Sequence, residues 1–244
     1  MQYNNRSSVL NLPPVTLHLI IINVILWVAT FVCLKFNIDL TQWLGLHFWQ
    51  SSRFNAAQFV TYMFMHDPSN VYHVFCNMFS LFMFGGLIER TLGSKRYLFY
   101  YVTCGLVAAL VQEVVWQISL HDVITAVKGG IEYVAIPSRS GMSQMLAGDF
   151  FNMFVTVGAS GAVFGILLAF GMLYPNMSMY IIPFPFPLKA KWVVLGYGVL
   201  ELFFGISQSM DSVAHFAHLG GMIGGILLIL YWRHNGTLTR NGLY

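Results

Sequence analysis

Several polar side chains interrupt otherwise apolar runs of this 244-residue chain: His73, Asn77, Glu113, Ser160, Glu201, His215 and His218. Polar groups are costly in such surroundings and are functional suspects by default. Ser160 stands between Gly158 and Gly161 in the stretch VTVGASGAVFG. A serine hydroxyl is a weak nucleophile and needs a base beside it. Histidine is the usual partner, and oxyanion donors complete a site for acyl transfer. Ser160 as nucleophile, His218 as base, and His73 and Asn77 as donors would make such a site. No aspartate within the apolar runs is placed to orient the histidine, so a Ser–His dyad is expected rather than a triad. His215 shares a helix face with His218 at i,i+3 and is the rival base.

Each of these residues also has a plainer reading. A serine in an apolar helix commonly bonds its own backbone, and a histidine there commonly bridges two helices. Glu201 reads as a packing residue or as part of a proton path, and Glu113 as interfacial. His73, His215 and His218 could bind a metal, but the neighbouring Asn and Ser are poor partners for one. No HExxH motif and no pair of aspartates in apolar runs points to zinc or aspartyl chemistry. The expectation is no metal and no cofactor.

The elements that must hold these residues are set by composition. The chain is 57% hydrophobic and 9% charged, against roughly 25% charged in a soluble domain. Too little polar surface exists to face water, which makes this an integral membrane protein in a lipid bilayer, and the helix-length apolar runs below make it all-α. The net charge of +3 is too small and too dispersed for nucleic acid. Cys33, Cys76 and Cys104 lie in apolar runs at unrelated spacings and read as small core residues.

Helices of about 20 apolar residues cross a bilayer, and candidates fall at 15–36, 71–89, 97–117, 160–174, 190–207 and 213–232. The first is read as a retained span, not a cleaved signal. Long connectors lie at about 34–70 and 118–157. Across a six-helix weave, Arg6, Arg90, Lys95, Arg96, Lys189, Lys191, Arg233 and Arg240 share one side, and Lys35, Arg53, Lys128 and Arg139 the other. Positive charge favours the cytoplasm, so both termini are expected there and both long connectors outside. The aromatic first connector (Trp43, Phe48, Trp49, Phe54, Phe59) is expected at the membrane interface or packed on its own helices.

Depth follows from a helical rise of ~1.5 Å per residue. Ser160 precedes Pro175 by fifteen residues, and His218 precedes Arg233 by fifteen, so both sit ~22 Å above the inner ends of their helices. His73 and Asn77, counted from Arg90, reach ~25 and ~20 Å. All four share one layer, whereas His215 lies ~4.5 Å nearer the outer surface. The run from Ser160 is too short to span, so the preceding FFNMFVTVGA is expected to be non-helical backbone above it, lining a wet cavity. Ser160 then heads a helix, where free N–H groups favour developing negative charge. Gly161/Gly165, Gly220/Gly224 and Gly221/Gly225 form small-xxx-small faces that let helices approach closely.

These residues resemble the rhomboid family of intramembrane serine proteases. GASG at 158–161 is similar to the family's nucleophile motif GxSG and maps Ser160 to its serine. AHLGGMIGG at 217–225 is similar to AHxxGxxxG, which maps His218, not His215, to its histidine and includes Gly221. HVFCN at 73–77 matches HxxxN, whose His and Asn help hold the oxyanion. Phe164 falls at the aromatic position under the catalytic imidazole, and ERTLGS at 89–94 resembles the turn after the second helix. Thr91 stands where that turn usually carries arginine, and the connector before Ser160 is long for a minimal member.

The resemblance implies a six-transmembrane-helix rhomboid-like bundle with its N- and C-termini in the cytoplasm. Its catalytic domain would be 15–232, with cytoplasmic segments 1–14 and 233–244. It further implies cleavage of transmembrane protein substrates by Ser160 and His218, with the Ser160 N–H, His73 and Asn77 holding the oxyanion and Gly158, Gly161, Phe164 and Gly221 in support. A bacterial inner membrane is the expected location. Two rivals remain: a relative that escorts membrane clients without cutting them, and a transporter using Glu201 and the histidines as a proton relay.

Overall fold

Pro14 opens the first long helix, where a fixed φ and a missing N–H cost nothing. The free N–H groups that follow have a partner in another helix: Glu89 accepts from the Val15 and Thr16 amides at 3.0 and 2.7 Å. It also accepts from the Thr16 and Ser94 hydroxyls. The glutamate of the ERTLGS turn therefore caps one helix and clips the start of another. The computed structural model describes residues 12–138, 141–180, 186–207 and 212–238. Arg6, Arg139 and Arg240, and most of the two terminal segments, lie outside the described residues.

The protein is predominantly helical. Its long helices are α1 (Pro14–Leu34), α2 (Val71–Leu92), α3 (Ser94–Ser119), α4 (Ser160–Leu173), α5 (Ala190–Ile206) and α6 (Ser212–His234). Among the described residues, α1, α2, α3 and α6 are long and apolar enough to cross a membrane. α4, with 14 residues, and α5, with 17, are shorter. α2 carries a π-turn at Leu81–Gly85, the kind of local bulge that re-aims a helix. Gly85 lies there because a Cβ would meet the Tyr97 hydroxyl at 2.6 Å.

α6 packs against α3, α4 and α5, and α3 also packs against α4. Tyr97, Tyr100 and Tyr101 of α3 are fully buried in the resulting core, with Ile166 and Ile229. The Tyr100 hydroxyl donates to the Gly165 carbonyl and that of Tyr62 to Gly105, both at 2.7 Å. In contrast, α1 exposes Ile21, Ile25, Val28 and Phe31, and α5 exposes Trp192, Leu195, Val199 and Phe203, faces suited to lipid.

The connectors are more ordered than their sequences suggest. The first pairs with the segment before Ser160: β1 (Leu46–His47) is antiparallel to a strand at Val155–Thr156. Phe48 is buried in a second cluster with Trp116, Leu120, Ile124 and Phe151, while Trp43 points outward at 68% exposure. Glu113 is fully buried and accepts from the Trp49 amide at 2.9 Å. The second connector holds a helix (His121–Lys128), a hairpin of Tyr133–Ser138 with Gly141–Leu146, and a helix (Ala147–Asn152). FFNMFVTVGA is thus helical at its start, contrary to expectation, because Phe151 docks into the second cluster. The cysteines also differ: Cys104 is core, but Cys76 is exposed.

Candidate active site

Ser160 is the first residue of α4 and lies two residues after Gly158, whose φ is +137°. The Gly158 amide donates to the Tyr62 carbonyl at 3.0 Å, and the first helical bond runs from Val163 to Ala159. The N–H groups of Ser160, Gly161 and Ala162 therefore have no acceptor within the helix.

His218, from α6, sits 2.9 Å from the Ser160 hydroxyl through Nε2. Its ring is stacked on Phe164, one turn along α4 from the serine, with centroids 4.2 Å apart and planes 9° from parallel. Its other nitrogen, Nδ1, is 2.9 Å from Oε2 of Glu201 on α5. His215 Nδ1 reaches that same oxygen at 2.6 Å. The Glu201 side chain is 11% exposed and that of His218 17%, so these groups are largely shielded yet reachable.

His73 enters from α2, whose N-cap Asn70 accepts from the His73 amide. Its Nε2 lies 2.8 Å from where a Cβ on residue 158 would be, which puts the imidazole beside the backbone leading into Ser160. Asn77 is buried, and its Nδ2 donates to the His73 carbonyl one turn back at 2.9 Å. The His66 ring packs edge-on against His73 at 5.0 Å. His66 is fully buried, and neither of its ring nitrogens has a partner among the described residues. Burial, with His73 next to it, pushes its imidazole down to about 3.

Residues 53–235 match the model of the Rhomboid domain, which is most of the chain. The chain belongs to the rhomboid family. It is also 31% identical over 97 residues to "Rhomboid protein 1, mitochondrial" of Saccharomyces cerevisiae, a match covering 35% of this chain and 28% of that relative. Membership in the rhomboid family makes this a multi-pass integral membrane protein.

The glycine faces divide the packing of this rhomboid. A Cβ on Gly221 would overlap the carbonyl of Gly161, and one on Gly165 would meet Cys104 Sγ at 2.5 Å. Gly220 and Gly224 face a different helix, meeting Val111 and Val107 of α3. Only part of the α6 glycine pattern therefore serves the approach to α4.

Sequence reasoning passed over Glu201 as a partner of the candidate base. A signal was present. α5 ends at Ile206 and α6 begins at Ser212, so Glu201 and His218 lie almost equally far from the facing helix ends, and an antiparallel pair sets them opposite each other. The group that converges on metal-ligand spacing also differs from the histidine trio considered above. Among the described residues it is Glu201, His215 and His218, with ligand atoms all within 4.8 Å of one another.

Proposed function

We propose that this rhomboid is an intramembrane serine endopeptidase in which Ser160 is the nucleophile and His218 the general base. The observation that carries this reading is the 2.9 Å contact between Ser160 Oγ and His218 Nε2, with the imidazole stacked on Phe164. A substrate helix enters from the bilayer, unwinds locally and presents a carbonyl to Ser160. His218 Nε2 takes the hydroxyl proton as Oγ bonds to the carbonyl carbon. The oxyanion is held by the Ser160 N–H, with His73 and Asn77 as further donors. The tetrahedral intermediate collapses with cleavage of the C–N bond, and His218 returns the proton to the leaving amine. Water, deprotonated by His218, then hydrolyses the acyl-enzyme. The steps require no metal or cofactor.

The same proposal includes a six-span catalytic domain over 15–232, with segments 1–14 and 233–244 in the cytoplasm and the long connectors outside. The short α4 is consistent with this arrangement. Its 14 residues cover about 21 Å, and the strand just before it, Val155–Thr156, pairs with the first connector at Leu46–His47. The eight-to-four distribution of Lys and Arg supports the orientation, and a bacterial inner membrane is the proposed location. The test is labelling of the purified protein with a fluorophosphonate probe, together with cleavage of a model transmembrane substrate. Label on Ser160 and loss of cleavage in Ser160→Ala are expected. Equal cleavage by wild type and Ser160→Ala overturns the reading.

A further inference from the structure

We propose that Glu201 is the orienting carboxylate of this site, so that Ser160, His218 and Glu201 work as a linked triad and His215 holds the carboxylate in place. This rests on the protease reading above. The observation behind it is a continuous chain of contacts: Ser160 Oγ to His218 Nε2 at 2.9 Å, and His218 Nδ1 to Glu201 Oε2 at 2.9 Å. His215 Nδ1 adds a second contact to that oxygen at 2.6 Å.

An ionised carboxylate only accepts hydrogen bonds. Both imidazoles meeting Oε2 must then carry their proton on Nδ1. For His218 this leaves Nε2 with a free lone pair, directed at the Ser160 hydroxyl. The stack on Phe164 cannot make this choice, because turning the ring over by half a turn preserves the stacked faces. Without Glu201, a His218 protonated on Nε2 would donate to Ser160 and could not take its proton. The carboxylate also lies next to the imidazolium formed when the serine proton is taken. Glu201 touches no reacting atom, so it is a positioning residue. Its place on α5, a helix otherwise rich in exposed apolar side chains, gives it no other polar partner to serve among the contacts described.

The decisive experiment combines kinetics and nitrogen NMR on the full-length protein in detergent, using a model transmembrane substrate and 15N-labelled histidine. In the wild type, His218 is expected to carry its proton on Nδ1. Glu201→Gln is expected to lower kcat by roughly 100-fold or more with little change in KM, and to move His218 towards the Nε2–H form. Glu201→Asp should recover part of kcat. His218 protonated on Nε2 in the wild type overturns the proposal without any variant. So does a Glu201→Gln protein with wild-type kcat and an unchanged tautomer while Ser160→Ala is inactive, a result that leaves the protease reading intact. Absence of Ser160-dependent cleavage in the wild type overturns that reading instead. Stoichiometric zinc in the purified protein, lost in both Glu201→Gln and His215→Ala, would make the three side chains a metal site and also overturn the orienting role.

Discussion

Gly221 of α6 lies directly against the backbone carbonyl of Gly161, the residue after Ser160, with no room between them for a single methyl group. This contact sets the distance between the two helices that carry the serine and the histidine. The polypeptide backbones touch there, which is what lets a short hydroxymethyl side chain reach an imidazole on a neighbouring helix.

Gly221→Ala should therefore weaken catalysis far more than its size suggests. The added methyl overlaps backbone, which cannot rotate away, so α4 and α6 must part. Overpacking of this kind costs about 1–3 kcal/mol of stability, and a shift near 1 Å between reacting groups costs on the order of 100-fold in rate. Cleavage rate and thermal melting in detergent check both. A neutral Gly221→Ala would show that the helices are not held by this contact.

Gly158→Ala tests the backbone leading into the serine. Its φ of +137° disfavours any side chain, a strain of about 1–3 kcal/mol, and its new methyl would approach His73 Nε2 to 2.8 Å. The expected outcome is a folded protein with strongly reduced kcat and slower fluorophosphonate labelling. Unaltered labelling would argue against a tightly set His73–Gly158 contact.

The two α6 histidines should separate sharply. His218→Ala removes the base and should cost roughly 10²–10⁴-fold in kcat. His215→Ala removes one hydrogen bond to Glu201, a net contribution of about 1 kcal/mol, and should lower the rate by no more than about tenfold. The reverse ranking, measured on the same substrate, would place the base at His215.

His66 predicts a pH response of stability. Its imidazole is held at about 3 in the folded protein, against about 6.5 when unfolded. Between these values the unfolded chain binds a proton that the folded chain refuses. The contribution of neutral His66 is therefore complete above about pH 6.5 and is lost as pH falls towards 3. Thermal melting of the wild type should decline over that window, and His66→Asn should flatten the decline. An identical pH slope in the variant would locate the effect elsewhere.

Much of this arrangement was legible in the residues themselves. Apolar run lengths marked where the long helices lie, because covering a bilayer demands a fixed number of residues at a fixed rise. Counting that rise from helix ends put Ser160 and His218 at one depth, and the structure sets them 2.9 Å apart. The signature around Ser160 and the AHLGGMIGG run pointed to the family that the domain match shows.

Other features needed the tertiary structure. Glu201 read as a packing residue or part of a proton path, and only the structure shows one of its oxygens in contact with both His215 and His218. Asn77 gives an amide hydrogen to its own helix, and the α6 glycines divide between α3 and α4. Depth along a helix follows from counting, but rotation about its axis does not. A helix apolar on nearly every side carries no stripe to say which face meets which neighbour. Sequence spacing therefore determined the level at which the serine and histidine lie. The rotation of α5 and α6, set by close packing of whole helices, decided that a carboxylate would stand behind the histidine.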